Sequence, residues 1–116
     1  MVQNKIEDTD KAKNLQVAVN HPIALQMMEQ LLLQVSSGLS LKLTHTTTLS
    51  KKKYPGNRHW HFKEDKMTKG CLDVTYWPDG ALFWITMRNY EPSWVHRVGR
   101  EMGALMTEKL TDLAIG

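Results

Sequence analysis

The spacing of apolar residues changes twice along this chain, and this pattern limits the possible fold more than any other feature of the sequence. Over residues 23–35 the apolar side chains recur every three or four positions, which predicts an amphipathic helix with Pro22 in its first turn. Over residues 39–88 they alternate in short runs, which predicts strands. Helical spacing returns over residues 92–106. The chain is therefore predicted to be an α+β domain whose strands lie between two helices in sequence.

Turn residues divide the alternating stretch into four strands. Pro55-Gly56 separates the first strand from the second, and Asp79-Gly80 favours the positive φ angles of a type I′ turn between the third and fourth. The predicted fold is a two-layer sandwich of a four-stranded antiparallel sheet and two helices, in the order α-β-β-β-β-α. Residues 14–19 alternate briefly and could add an edge strand or lead into the first helix.

Length and composition indicate one domain. The 116 residues can form a core of their own, with residues 14–116 as a single α+β domain. Residues 1–13 are polar and mixed in charge, and we interpret them as a flexible N-terminal arm. No apolar run is long enough to span a bilayer, and Cys71 is the only cysteine, which favours a reducing compartment. We expect a cytoplasmic protein with no membrane contact.

One face of the predicted sheet combines aromatic, imidazole and charged side chains. If Trp60 and Phe62 face the helices, His59 and His61 project from the opposite face, because neighbouring residues of a strand point to opposite sides. The predicted strand pairing then puts His61 opposite Asp73. The side chains expected on this face or in the basic segment beside it are Trp77, Trp84, His59, His61, Arg58, Arg88, Lys51, Lys52, Lys53 and Lys63.

This face has three possible functions. The first is association: an aromatic face turned to water is typical of a contact with a protein partner or with a second copy of the chain. We take this as the leading hypothesis, that of a small non-enzymatic interaction domain without a cofactor.

The second possible function is nucleic-acid binding. The chain has net charge +3, and residues 51–70 contain seven lysines and arginines against two acidic residues. Trp77, Trp84 and His59 could stack on bases while the basic segment neutralises phosphates. A solvated loop that keeps the protein soluble would have the same composition.

The third possible function is a metal or acid–base site at His59, His61 and Asp73, where a carboxylate could complete a ligand set or orient an imidazole. His45 could join only if a bulge turned it outward. No other pattern predicts an enzyme, and Cys71 is interpreted as a small packed residue. Residues 99 and 103, both glycine, predict close packing of the last helix.

Overall fold

The computed structural model describes residues 12–115, whose elements follow the order β-α-β-β-β-β-α. A short 3-10 turn precedes the last strand. The strands are β1 (Ala12–Ala18), β2 (Lys42–Thr47), β3 (Arg58–Lys63), β4 (Leu72–Trp77) and β5 (Leu82–Arg88), and the helices are α1 (Leu25–Gly38) and α2 (Ser93–Ile115). The α+β class and the antiparallel sheet are confirmed.

The sheet has five strands, in the order β1-β5-β4-β3-β2. The predicted four-stranded order lacked β1, which pairs with β5 along its whole length. Of the two interpretations of residues 14–19, the edge strand is the correct one, and Val17 buries its side chain in the core. Residues 1–11 of the predicted arm lie outside the described residues.

The core lies between the two helices and one face of the sheet, which we call the helix face. Its arrangement confirms that Trp60 and Phe62 point inward. Full burial of an aromatic or large aliphatic side chain contributes roughly 1.5–3 kcal/mol. The largest fully buried side chains are Trp60, Tyr76, Phe62, Phe83, Met28, Leu32, Leu72, Ile85, Met87, Met102, Met106 and Val74.

α1 begins later than the position of Pro22 predicts. Ala24 still has an extended backbone, with φ −61° and ψ 146°, and the helix begins at Leu25. The preceding segment is held by the core, since Ile23 is buried and its carbonyl accepts a hydrogen bond of 2.6 Å from the Tyr76 hydroxyl. The extended conformation before the helix therefore follows from a tertiary contact.

The hairpin between β4 and β5 has the expected register but not the expected turn. Trp77 lies opposite Leu82, as predicted. The type I′ turn at residues 79–80 is wrong, because Pro78 begins a 3-10 turn and the positive φ falls at Ala81, at 52°. Proline fixes φ near −65°, which suits the first position of a right-handed turn.

α2 packs closely on the sheet through its two glycines. A Cβ atom at Gly99 would lie 2.5 Å from Sδ of Met87, and one at Gly103 would lie 2.6 Å from Cδ2 of Leu15. Both distances are too short for a real contact, which confirms the predicted close approach. Neither helix of the described residues has an apolar stretch of the length that a bilayer requires.

Candidate metal centre

A polar cluster lies on the outer face of the sheet, the face opposite the two helices. His61 of β3 lies opposite Asp73 of β4, and His59 lies opposite Thr75, as the alternation predicts. Arg88 of β5 reaches the same carboxylate. We call these five residues the outer-face cluster. Asp73, Thr75 and His59 are buried, at 2%, 0% and 5% exposure.

Asp73 is the centre of the cluster. Its Oδ1 accepts a hydrogen bond of 2.8 Å from Nδ1 of His61, and its Oδ2 accepts one of 2.6 Å from Nη1 of Arg88. The Cys71 thiol donates to Oδ1 over 3.2 Å. Nε2 of His59 lies 3.7 Å from Oδ2, which is longer than a hydrogen bond but within range of an electrostatic contact. Both carboxylate oxygens thus face donors and positive charge.

These contacts keep Asp73 ionised. Burial alone would raise its pKa, but the interactions with His59 and Arg88 outweigh that effect. Arg88 makes the stronger contact of the two, because its distance is that of a short charge-assisted hydrogen bond. The electrostatic effect of His61 and the hydrogen bond from the Cys71 thiol also lower the pKa of Asp73. Together these groups hold the pKa of Asp73 well below its ordinary value.

Thr75 fixes the orientation of His59. Nδ1 of His59 and Oγ1 of Thr75 share a hydrogen bond of 2.6 Å. The ring therefore turns its other nitrogen, Nε2, toward Asp73. The ring of His61 meets that of His59 edge-on, with centroids 4.7 Å apart. The two imidazoles and the carboxylate consequently converge on one point between β3 and β4.

This convergence has the composition of a metal site. His59, His61 and Asp73 each offer one ligand atom, and these atoms all lie within 4.8 Å of one another. With metal–ligand distances of about 2.0–2.2 Å, neighbouring ligand atoms of a tetrahedral zinc site lie roughly 3.4 Å apart. The 2.8 Å between Nδ1 of His61 and Oδ1 of Asp73 is about half an ångström below that value.

A bulge brings His45 to the same face. The register of β2 against β3 shifts between Leu43 and His45, so that His45 lies opposite His61, with ring centroids 6.1 Å apart. Thr44, the extra residue, donates its hydroxyl to the carbonyl of His61 over 3.1 Å. The bulge that His45 needs in order to point to the outer face is therefore present.

A surface cavity opens beside the cluster. It has a volume of about 450 Å³ and is lined by Thr44, His45, His61, Lys63 and Cys71. His61 belongs both to the cavity wall and to the outer-face cluster, so the cavity adjoins the cluster.

Cys71 is not arranged as a nucleophile. Burial and the neighbouring Asp73 carboxylate raise the pKa of its thiol to about 12, so that almost none is thiolate at neutral pH. Sγ of Cys71 and Oδ1 of Asp73 also both approach the same nitrogen of His61, Nδ1, at 3.5 Å and 2.8 Å. A relay would need the two groups on opposite nitrogens of the ring.

The tryptophans of the outer face lie on the expected side, but they are less open than we expected. Trp84 is only 3% exposed. The ring of Tyr54 covers it, with centroids 5.4 Å apart, and also contacts Trp77 at 5.2 Å. Nε1 of Trp77 donates to the carbonyl of Pro55 over 2.9 Å. The segment expected to flank the aromatic face instead folds over it.

Sequence reasoning missed the two residues that hold this segment in place, Tyr54 and Asn57. Asn57 is buried, accepts a hydrogen bond from the backbone N–H of Leu49 and donates one of 2.7 Å to the carbonyl of Tyr54. The sequence contains one signal for this packing: Tyr54 directly follows three lysines. A loop that is only solvated does not require an aromatic side chain.

The basic residues of the predicted interface are separated in the structure. Arg58 lies on the helix side, where its guanidinium pairs with Glu29 at 3.2 Å. The side chains of the loop that are exposed are those of Lys51, Lys52 and Lys53. Lys63 lines the cavity and Arg88 binds Asp73, whereas Arg58 projects to the opposite side of the sheet.

Comparison of the chain with family models, with curated proteins and with solved structures finds no match. The chemistry of the site therefore has to be argued from its own residues. A protein partner or nucleic acid at the outer face stays a prediction, and so does the absence of a cofactor. The group of residues that the structure brings together is the third one predicted, His59, His61 and Asp73.

Proposed function

We propose that this protein binds a divalent transition-metal ion, with Zn²⁺ as the first candidate, through His59, His61 and Asp73. The observation that carries the proposal is the convergence of two imidazoles and an ionised carboxylate within 4.8 Å on two paired strands. Imidazole nitrogen with carboxylate oxygen is a donor set that zinc prefers in proteins.

The surroundings of the ligands support this function. Metal-binding histidines commonly use their second nitrogen in a hydrogen bond that fixes the ring, and Thr75 makes that bond to His59. Arg88 plays the corresponding part for Asp73, holding Oδ2 and leaving Oδ1 for the ion. Ligands held in place before binding lose little freedom when the ion arrives.

Binding requires one small rearrangement. Nδ1 of His61 now donates a proton to Oδ1 of Asp73 over 2.8 Å, and an ion between these atoms would replace that proton. The separation has to widen by roughly half an ångström to reach the spacing of zinc ligands. The side chain of His61 is 29% exposed at the cavity wall, so it is the ligand with room to move.

Three protein ligands leave a coordination position free. Structural zinc sites are usually closed by four protein ligands, whereas a site with three keeps a position for water or another ligand. Two neighbouring residues could supply a fourth ligand. His45 stands beside His61 and is exposed, and Sγ of Cys71 lies 3.2 Å from Oδ1 of Asp73.

The test is a titration of the chelator-treated protein with ZnCl₂ by calorimetry. We expect one ion per chain with a Kd of about 1 μM or tighter, and a loss of at least about 100-fold in the His59→Ala, His61→Ala double variant. The control is a His21→Ala, His96→Ala double variant, which removes two histidines outside the cluster. Titration with Co²⁺ should produce the intense visible absorption of tetrahedral coordination in the wild type and in the control variant, but not in the His59→Ala, His61→Ala variant.

Equal heats for wild type and the His59→Ala, His61→Ala variant would overturn the proposal. An equal loss in the control variant would also overturn it, because binding would then not depend on the cluster. Circular dichroism of each variant establishes that the fold is retained.

A further inference from the structure

The cavity beside the metal centre has a cationic wall without a carboxylate. Its lining residues are Thr44, His45, His61, Lys63 and Cys71. Among them the ammonium group of Lys63 and the imidazole of His45 can donate hydrogen bonds to a ligand. The volume of about 450 Å³ lies within the range of small-molecule sites.

Lys63 of the cavity wall lies opposite a second lysine in the sheet. Lys42 of β2 and Lys63 of β3 are direct partners in the antiparallel register, so their side chains leave the same face side by side. Like charges in this position destabilise a sheet. Within the described part of the chain, neither ammonium group has a hydrogen-bond or ion-pair partner.

The nearby carboxylates do not compensate this charge, because each is used elsewhere. Asp73 is bound by Arg88 and His61. Glu91 accepts a hydrogen bond of 3.3 Å from the backbone N–H of Cys71 and is not part of the cavity wall. Glu64 pairs with Arg97 of α2 at 3.8 Å. The excess positive charge therefore remains at Lys42 and Lys63.

We propose that this cavity binds the phosphate group of a phosphorylated small molecule, with Lys63 and Lys42 as its main contacts and His45 as a further donor. A phosphate dianion carries enough negative charge to neutralise both lysines, whereas a carboxylate neutralises only one. The tetrahedral phosphate also has enough oxygens to meet both strands at once.

The lysine contacts do not need a metal ion. A second contribution rests on the proposed function: with an ion at His59, His61 and Asp73, a phosphate oxygen could take the coordination position that three protein ligands leave free. The ion should then strengthen phosphate binding, so the two contributions can be measured separately.

The test uses methyl phosphate as the probe and two-dimensional NMR of the ¹⁵N-labelled full chain. For the chelator-treated protein we expect saturable shifts at the amides of Thr44, His45 and Lys63, with a Kd of about 1 mM, and at least about tenfold weaker binding in Lys63→Gln. Lys42→Gln should weaken binding by about threefold to tenfold. Lys109→Gln, which removes an exposed lysine of α2, is the control and should leave the Kd unchanged.

Several results would overturn the inference. These are the absence of saturable shifts at the cavity, an equal Kd for Lys63→Gln and wild type, and equal binding of acetate at the same ionic strength. A repeat after addition of one equivalent of Zn²⁺ tests the second contribution. Phosphate binding that is present without zinc and unchanged by it supports the lysine site and contradicts the coupling to the metal, whereas the zinc titration itself tests the proposed function.

Discussion

The two faces of the sheet reach the same degree of burial by different means. On the helix face Trp60 is fully buried, and on the outer face Thr75 is equally buried. The first is covered by two helices and surrounded by apolar side chains. The second is hydrogen-bonded to His59 and lies opposite Trp84, which the loop residue Tyr54 covers. The comparison indicates that the helix face supplies most of the stability, while the outer face keeps reactive groups in place at a cost in desolvation.

The largest effect is expected on the helix face. Phe62→Ala should lower the free energy of unfolding by about 4 kcal/mol, because the side chain is fully buried and its removal leaves a cavity. Leu43→Ala, at the position opposite Phe62 but 39% exposed, should cost less than about 1 kcal/mol. Urea unfolding of both variants measures the difference, and similar losses would contradict the assignment of the core.

The outer-face cluster should show the next largest effect. Asp73→Asn removes the charge that Arg88 and His61 contact and should cost about 2–4 kcal/mol. The loss should be smaller than for a fully buried ion pair, because Arg88 is 36% exposed and water can replace part of the contact. Asp112→Asn, at an exposed position of α2, is the control and should be neutral.

The same variant gives a pH dependence of defined sign. The pKa of Asp73 is lowered in the folded protein, so its ionised form contributes stability above the ordinary aspartate pKa of about 3.9. That contribution is lost as the pH falls from there toward the folded-state pKa. The contribution of the Asp73 charge to the stability gap between wild type and Asp73→Asn should therefore shrink as the pH falls below about 4. A gap that widens in acid would contradict this.

Removing the ring of Tyr54, which covers the outer face, should destabilise the protein less than removing a core side chain. Tyr54→Ala should cost about 1–2 kcal/mol while the fold persists, because the ring is half-buried against Trp77 and Trp84. Acrylamide should then quench tryptophan fluorescence more strongly, since Trp84 becomes open to water. Tyr90→Ala, which removes a ring that is 74% exposed, should change neither measurement. Unchanged quenching in Tyr54→Ala would show that another group shields Trp84.

The smallest effect is expected in the turn that joins β4 to β5, away from the core and from the outer-face cluster. Ala81 has φ 52°, a left-handed conformation that glycine adopts without strain. Ala81→Gly should raise the free energy of unfolding by about 0.5–1 kcal/mol. The metal affinity should stay the same. Destabilisation would contradict the left-handed assignment, and a change in affinity would mean that the turn and the cluster are coupled.

The central part of the fold could be predicted because its strands pair with neighbours that are close in sequence. Alternation in residues 58–88 determines which side chains share a face, and matching faces across β3 and β4 bring His61 opposite Asp73. β1 could not be assigned in the same way. Its seven residues pair with β5, about 70 positions away, and a short alternating stretch does not identify so distant a partner.

The candidate site could be predicted only in part, for a related reason. Strand alternation gives the side of the sheet on which a residue lies but not what covers it. The burial of Trp84 depends on Tyr54, which belongs to a loop without a periodic pattern. The pairing of β4 with β5 was predicted, but alternation does not give the side-chain conformation that brings Arg88 to Asp73.

The irregularity of β2 has a consequence for how the molecule behaves at high concentration. β2 forms one edge of the sheet, and all six of its residues are exposed. A regular strand in that position would present an ordered row of free amides and carbonyls on which another chain could add a strand. The shift between Leu43 and His45 interrupts that row, and Lys42 adds a charge beside it. The same irregularity that turns an imidazole toward the cavity therefore discourages edge-to-edge aggregation.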